Sequence, residues 1–162
     1  MKVAIGFDPF GLALRPAIEQ HVEQQGYDVT DLGCQEEDPN AYYNVAVDAA
    51  VGIQTKQFDR AILVCGTGMG MAIVANKYPA IAAAVCTTID MAKKARSINN
   101  ANILTLGAMH TAPFLAGQML DAFFTTEFKE GWDADIQNFL DQAIKDIALI
   151  GQNVSHRGPK TL

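Results

Sequence analysis

The sequence predicts a single-domain three-layer α/β sandwich, with a five-stranded parallel sheet between helices and an additional C-terminal helix. Short apolar runs alternate with stretches of helical periodicity along the chain, the pattern of buried parallel strands joined by crossover helices. The length, 162 residues, suits one domain with one sizeable core, expected over residues 1–150 with a tail at 151–162.

Lys2 to Gly6 reads as the first strand, with a loop Phe7 to Gly11 at its carboxyl end and a helix Leu12 to Gln25 that Gly26 stops. Tyr27 to Leu32 is the second strand, Cys34 to Asn40 a polar loop, and Ala41 to Gln54 a helix. Phe58 to Val64 is apolar almost throughout, which predicts a central strand. A glycine-rich turn from Gly66 to Gly70 then opens an Ala-rich helix through Lys77, followed by a strand Ile81 to Cys86, a helix Ile89 to Ser97 and a strand Ile103 to Leu106. Helices at Pro113 to Phe124 and Asp133 to Ile150 complete the pattern, with Gly151 as a stop before Gly158 and Pro159 in the tail. The arrangement is Rossmann-like, and it gathers Asp8, Cys65, Thr87 and Gly107 on one rim of the sheet. The last helix carries an apolar stripe of Ile136, Phe139, Leu140, Ala143, Ile147 and Ile150 that needs burial, and a partner subunit is one way to supply it.

Composition narrows the function classes. The chain has 12 Lys or Arg against 18 Asp or Glu and a formal charge of -6, which argues against a nonspecific nucleic-acid binder. No apolar run approaches the roughly 20 residues that cross a bilayer, and the start MKVAIGFDPFG lacks the h-region of a secretory signal. No membrane association and a cytoplasmic location are the expectations. Cys34, Cys65 and Cys86 form no CxxC pair, and His21 and His156 lie far from them in sequence, so free thiols and no metal site are expected. GTGMG lacks the full dinucleotide-binding spacing and no GK[ST] follows it, so no cofactor is expected.

The chemistry centres on Val64-Cys65-Gly66-Thr67-Gly68-Met69-Gly70, where a thiol and a hydroxyl sit among three glycines after a buried strand. Gly66, Gly68 and Gly70 permit tight turning, so that successive amides can face an oxyanion. Cys65 reads as a nucleophile or proton-transfer base, or as a small thiol filling a turn. Thr67 can exchange a proton with a substrate oxygen or cap the helix that begins near Gly68. Asp8 can orient a sugar hydroxyl or cap the first helix, and Asn99, in the run Asn99-Asn100-Ala101-Asn102, can hold a hydroxyl or shape a turn, while Asn102 can equally tie down a loop. Lys77 and Arg96 are candidate anion contacts or ordinary exposed helix charges, and Cys34 and Cys86 read as filling local structure.

Taken together, GFDPFG at Gly6 to Gly11, CGTGMG at Cys65 to Gly70, MAIVANK through Lys77 and NNANILTLGA at Asn99 to Ala108 resemble the family of ribose-5-phosphate isomerase B and galactose-6-phosphate isomerase, over about the first 130 residues. The resemblance implies an aldose–ketose isomerase of phosphorylated sugars, using no cofactor or metal, with each site built between two subunits of a homodimer or higher oligomer. Cys65 would move the proton between C1 and C2 through an enediolate, Thr67 would lie near the reacting hydroxyls, the amides of Gly66 to Gly70 would hold the negative charge, and Asp8 and Asn99 would contact the sugar.

The chain also departs from the pattern. Pro9 and Ile98 stand where the family commonly has His, the second being the ring-opening position, and Met109, Trp132 and Ile136 stand where it commonly has Arg. Apart from Pro9, which departs even from that pattern, these departures resemble the B-type subunit of galactose-6-phosphate isomerase, whose A-type partner carries the missing His and Arg. They also fit a homomeric isomerase of a linear or unusual sugar phosphate, or a noncatalytic sugar-binding or assembly subunit.

Overall fold

The computed structural model describes residues 1–34 and 41–153. Most of the expected polar loop before Ala41, and the tail with Gly158 and Pro159, lie outside the described residues. Five strands form one parallel sheet: β1 (Lys2–Phe7), β2 (Asp28–Asp31), β3 (Arg60–Cys65), β4 (Ala83–Val85) and β5 (Ile103–Gly107), in the order β2-β1-β3-β5-β4. The helices are α1 (Arg15–Gln24), α2 (Tyr42–Gln54), α3 (Met69–Ala75), α4 (Ile89–Ser97), α5 (Pro113–Thr125) and α6 (Ala134–Asn153). None of them is long and apolar enough to cross a membrane.

The period-2 alternation of each strand divides the core into two layers. Val3, Ile5, Phe7, Ile62, Val64, Leu104 and Leu106 pack under α1, α4 and α5. Ala4, Ala61, Leu63, Cys65 and Ile103 pack under α2 and α3. Cys65 therefore faces the α2/α3 layer from the last position of the central strand.

Several boundaries depart from the sequence pattern for local reasons. The expected helix from Leu12 begins as a 3-10 turn (Leu12–Leu14), and α1 proper starts at Arg15 with Pro16 in its first turn, where a missing amide hydrogen is harmless. β4 is an edge strand of three residues, shorter than the expected Ile81 to Cys86. Side chains extend its pairing: Asn76 exchanges two hydrogen bonds of 2.8 Å with the backbone of Ala83, and Asn102 accepts from the Ala82 amide at 2.9 Å. Asn102 thus ties down the loop before β5. Helix α6 runs through Gly151 to Asn153, so Gly151 does not stop it.

Arg96 is neither an anion contact at the rim nor a solvated charge. It is buried, and donates to the carbonyl oxygens of Ala101 (2.6 Å) and Thr126 (3.4 Å) and to Asn100 Oδ1 (2.9 Å). Arg60 donates to the carbonyls of Phe123 and Phe124 at 2.6 and 2.9 Å, so two guanidiniums hold the C-terminal end of α5. Burial, with Arg60 close by, pushes the Arg96 guanidinium down to about 10.

Of the apolar stripe on α6, Leu140 is buried, whereas Ile136, Phe139, Ile147 and Ile150 are exposed. The helix is tied at its start, where Gln137 donates to the Trp132 carbonyl at 2.7 Å and Lys129 pairs with Asp141 at 2.8 Å.

Candidate active site

β1 and β3 lie side by side, yet the chain leaves β1 for β2 on one side and β3 for the strands on the other. Such a reversal opens a crevice at the carboxyl ends of the two strands. The register pairs Phe7 with Val64 and Cys65 with Gly107, so Asp8, Cys65 and Gly107 meet on one rim.

The loop is held from both sides by backbone bonds. The Asp8 amide donates to the Val64 carbonyl at 3.1 Å, and the amides of Ala108 and Met109 donate to the carbonyls of Cys65 and Gly66 at 2.9 and 3.0 Å. Close approach at this crossing depends on glycine. A β-carbon at Gly107 would lie 2.7 Å from the Thr67 carbonyl carbon, and Gly68 has φ 78° with its α-carbon facing the Leu106 carbonyl.

The buried Cys65 thiol accepts a hydrogen bond from the Gly68 amide, Sγ to N 3.1 Å, which fixes the sulfur inside the turn. Thr67 is half-buried, and its Oγ1 stands 3.4 Å from the Met69 amide. That long contact leaves the hydroxyl weakly engaged at the start of α3. Asp8 is 5% exposed and accepts from the Gly11 amide at 2.9 Å. Burial pushes its carboxyl above the ordinary value, against the pull of hydrogen bonds from its own loop's amides. A β-carbon at Gly70 would meet Tyr42 Cε2 at 2.8 Å, which brings the first tyrosine of α2 against the loop. Nothing in the sequence around Tyr42 pointed to that contact, which depends on how α2 crosses the sheet.

Cys86 is buried and its thiol is pushed up to about 11 by desolvation, so it stays protonated at neutral pH. Cys34 is buried near the end of β2, where its carbonyl accepts from Arg15 at 2.7 Å. Lys77 follows the C-terminal end of α3, away from the rim.

Asn99 is not brought to Cys65 within one chain. It follows α4 and precedes β5, so it stands at the amino end of the sheet, where Ile103 pairs with Ala61. The length of β3, roughly 17 Å at the rise of a parallel strand, separates the two ends. Asn99 is exposed there, beside Asn100 at φ 48°.

Comparison with known proteins follows the same outline. A family model described as Ribose/Galactose Isomerase matches residues 3–138. The 4-deoxy-4-sulfo-D-erythrose isomerase of Clostridium sp. (strain MSTE9) is 42% identical over 159 residues, covering 98% of this chain and 100% of that protein. The D-erythrulose-4-phosphate isomerase of Pectobacterium atrosepticum is 38% identical over 135 residues, covering 83% of this chain and 89% of that protein. Among solved structures, Clostridium thermocellum ribose-5-phosphate isomerase B superposes with a TM-score of 0.86 at 34% identity, covering 95% of this chain and 99% of that one.

Proposed function

This chain belongs to the ribose/galactose isomerase family and is a sugar-phosphate isomerase of that family; from that premise we propose that its own substrate is a four-carbon open-chain aldose whose C4 carries a phosphate or a sulfonate. The observation that carries this reading is Ile98. The resemblance expects a ring-opening His at that position, and the sec-butyl side chain of Ile98 cannot move a ring proton. A four-carbon aldose closes to a furanose only through a free C4 hydroxyl. Phosphorylation at O4, or sulfonate in place of that oxygen, keeps the sugar linear and removes the need for ring opening. Two relatives whose names specify four-carbon substrates support the same class, and one of them aligns over nearly the whole of this chain.

In the proposed reaction the Cys65 thiolate removes the proton from C2 of the aldose, and the C2–H electron pair forms the C1–C2 double bond of an enediolate. The Thr67 hydroxyl passes a proton between O2 and O1, and the Cys65 thiol returns its proton to C1, which leaves the ketose with no net gain or loss of atoms. The amides of Gly66 and Gly70 stabilise the developing oxyanion while the Gly68 amide holds the Cys65 sulfur, and Asp8 holds a sugar hydroxyl. Asn99 contacts the sugar from a second copy of the chain, since its own Cys65 is at the other end of the sheet.

Turnover of 4-deoxy-4-sulfo-D-erythrose, D-erythrulose 4-phosphate and ribose 5-phosphate by the purified chain tests the proposal. The expected result is faster turnover of a four-carbon sugar and a fall in kcat of roughly 1000-fold in Cys65→Ala. Preference for ribose 5-phosphate, or undiminished activity in Cys65→Ala, overturns it. The second reading, a subunit similar to the B-type chain of galactose-6-phosphate isomerase, draws support from the uncharged Met109, Trp132 and Ile136. It requires that activity appear only on mixing with a basic related chain.

A further inference from the structure

Two large apolar side chains flank the reaction loop from opposite sides. Phe10 comes from the loop after β1 and Met109 from the loop after β5, the strands on either side of β3. A β-carbon at Gly66 would lie 3.0 Å from Met109 Cε, 3.5 Å from Met109 Sδ and 3.5 Å from Phe10 Cβ. Both side chains are nevertheless largely exposed, 66% for Phe10 and 62% for Met109, so they cover the buried Gly66 from the solvent side instead of filling the core.

Their backbones are fixed. The Met109 amide donates to Gly66, and Phe10 sits in a turn closed by the Gly11 amide, which donates to both the backbone carbonyl and the side chain of Asp8 at 2.9 Å. The attachment points of both side chains are therefore set by bonds that also hold the loop. Neither side chain offers hydrogen bonds to the hydroxyls of a sugar that, with C1 and C2 at Cys65, would extend its remaining carbons past this border.

We propose that Phe10 and Met109 are specificity-determining residues, which limit the substrate to short open chains by occupying the space that a fifth carbon or a closed ring needs. The proposal rests on the four-carbon reading above and deepens it. A hydrophobic wall that excludes by bulk discriminates through one or two carbons, which sets the scale of its effect at roughly tenfold to a hundredfold in kcat/KM.

The test compares kcat/KM for ribose 5-phosphate and for whichever of 4-deoxy-4-sulfo-D-erythrose and D-erythrulose 4-phosphate the parent turns over faster, in the parent, Met109→Ala and Phe10→Ala, with thermal melting to verify folding. Both positions are exposed, so the variants are expected to melt like the parent. The ratio of five-carbon to four-carbon turnover should rise about tenfold or more in at least one variant, chiefly through KM for ribose 5-phosphate. A parent that turns over the four-carbon sugar, with ratios unmoved within about twofold in both folded variants, overturns the proposal and leaves the four-carbon reading standing. A parent that prefers ribose 5-phosphate, or that turns over none of ribose 5-phosphate, 4-deoxy-4-sulfo-D-erythrose and D-erythrulose 4-phosphate, overturns both.

Discussion

At the scale of the residue, the rim carries one group whose burial is unfavourable to its charge. Asp8 is buried with its carboxyl pushed above the ordinary value, so the native state binds its proton more tightly than the unfolded chain does. The stability it contributes is fully present below the unfolded value and is lost as pH rises through the folded one. Asp8→Asn keeps an oxygen that can accept from Gly11. The variant is therefore expected to melt at or above the parent temperature at pH 7, with the difference closing as pH falls below about 4. If Asp8 holds a sugar hydroxyl, the same variant loses turnover while gaining stability, and a variant destabilised at pH 7 would contradict this account. Gly107→Ala tests the crossing with Thr67. Its methyl would press on backbone, so the loop must shift, and a fall in kcat of roughly 100-fold is expected with a smaller change in melting temperature. The position of the Cys65–Gly70 loop at the end of the central strand was legible in the sequence because glycines cluster there after an apolar run. The contact of Gly107 with Thr67 was not, because it depends on β5 lying beside β3 although β4 intervenes in the chain.

At the scale of the element, the alternation of apolar runs and helical segments identified the five strands and six helices among the described residues, since the central strands β1, β3 and β5 are buried on both faces and each helix needs one apolar stripe, although the edge strand β2 is largely exposed. What it left open were ends decided by tertiary partners. β4 is three residues long at the sheet edge, where the Asn76 side chain pairs with Ala83 in place of a neighbouring strand and Asn102 accepts from Ala82 just before it. The charge on Arg96 suggested solvent, whereas the C-terminal carbonyls of α5 and its surroundings draw it inside. Arg96→Leu removes the donor to Ala101 and Thr126 and leaves those carbonyls in a buried setting, where a loss of about 2–4 kcal/mol is expected. Urea unfolding measures it, and a loss below about 0.5 kcal/mol would mean that the carbonyls find other donors.

At the scale of the whole molecule, two features of a single chain point outward. α6 exposes Phe139, Ile147 and Ile150, and Asn99 stands a sheet length away from the Cys65 of its own chain. The sequence indicated the unburied stripe, and the parallel sheet it predicts already implies the separation that the register of β3 and β5 displays between Asn99 and Cys65. If a second copy supplies Asn99, each site joins Cys65 of one chain to Asn99 of the other. The Cys65→Ala and Asn99→Ala variants, each impaired alone, then restore one another when mixed under conditions of subunit exchange. Random pairing makes half the dimers hybrids, and each hybrid holds one intact site and one doubly altered site, so recovery approaches about a quarter of parental turnover. A site contained within one chain allows no such recovery, because every chain in the mixture would still lack one of the two groups. Turnover of the mixture against the two separate variants therefore distinguishes a shared site from a self-contained one, and mass in solution fixes how many copies share it.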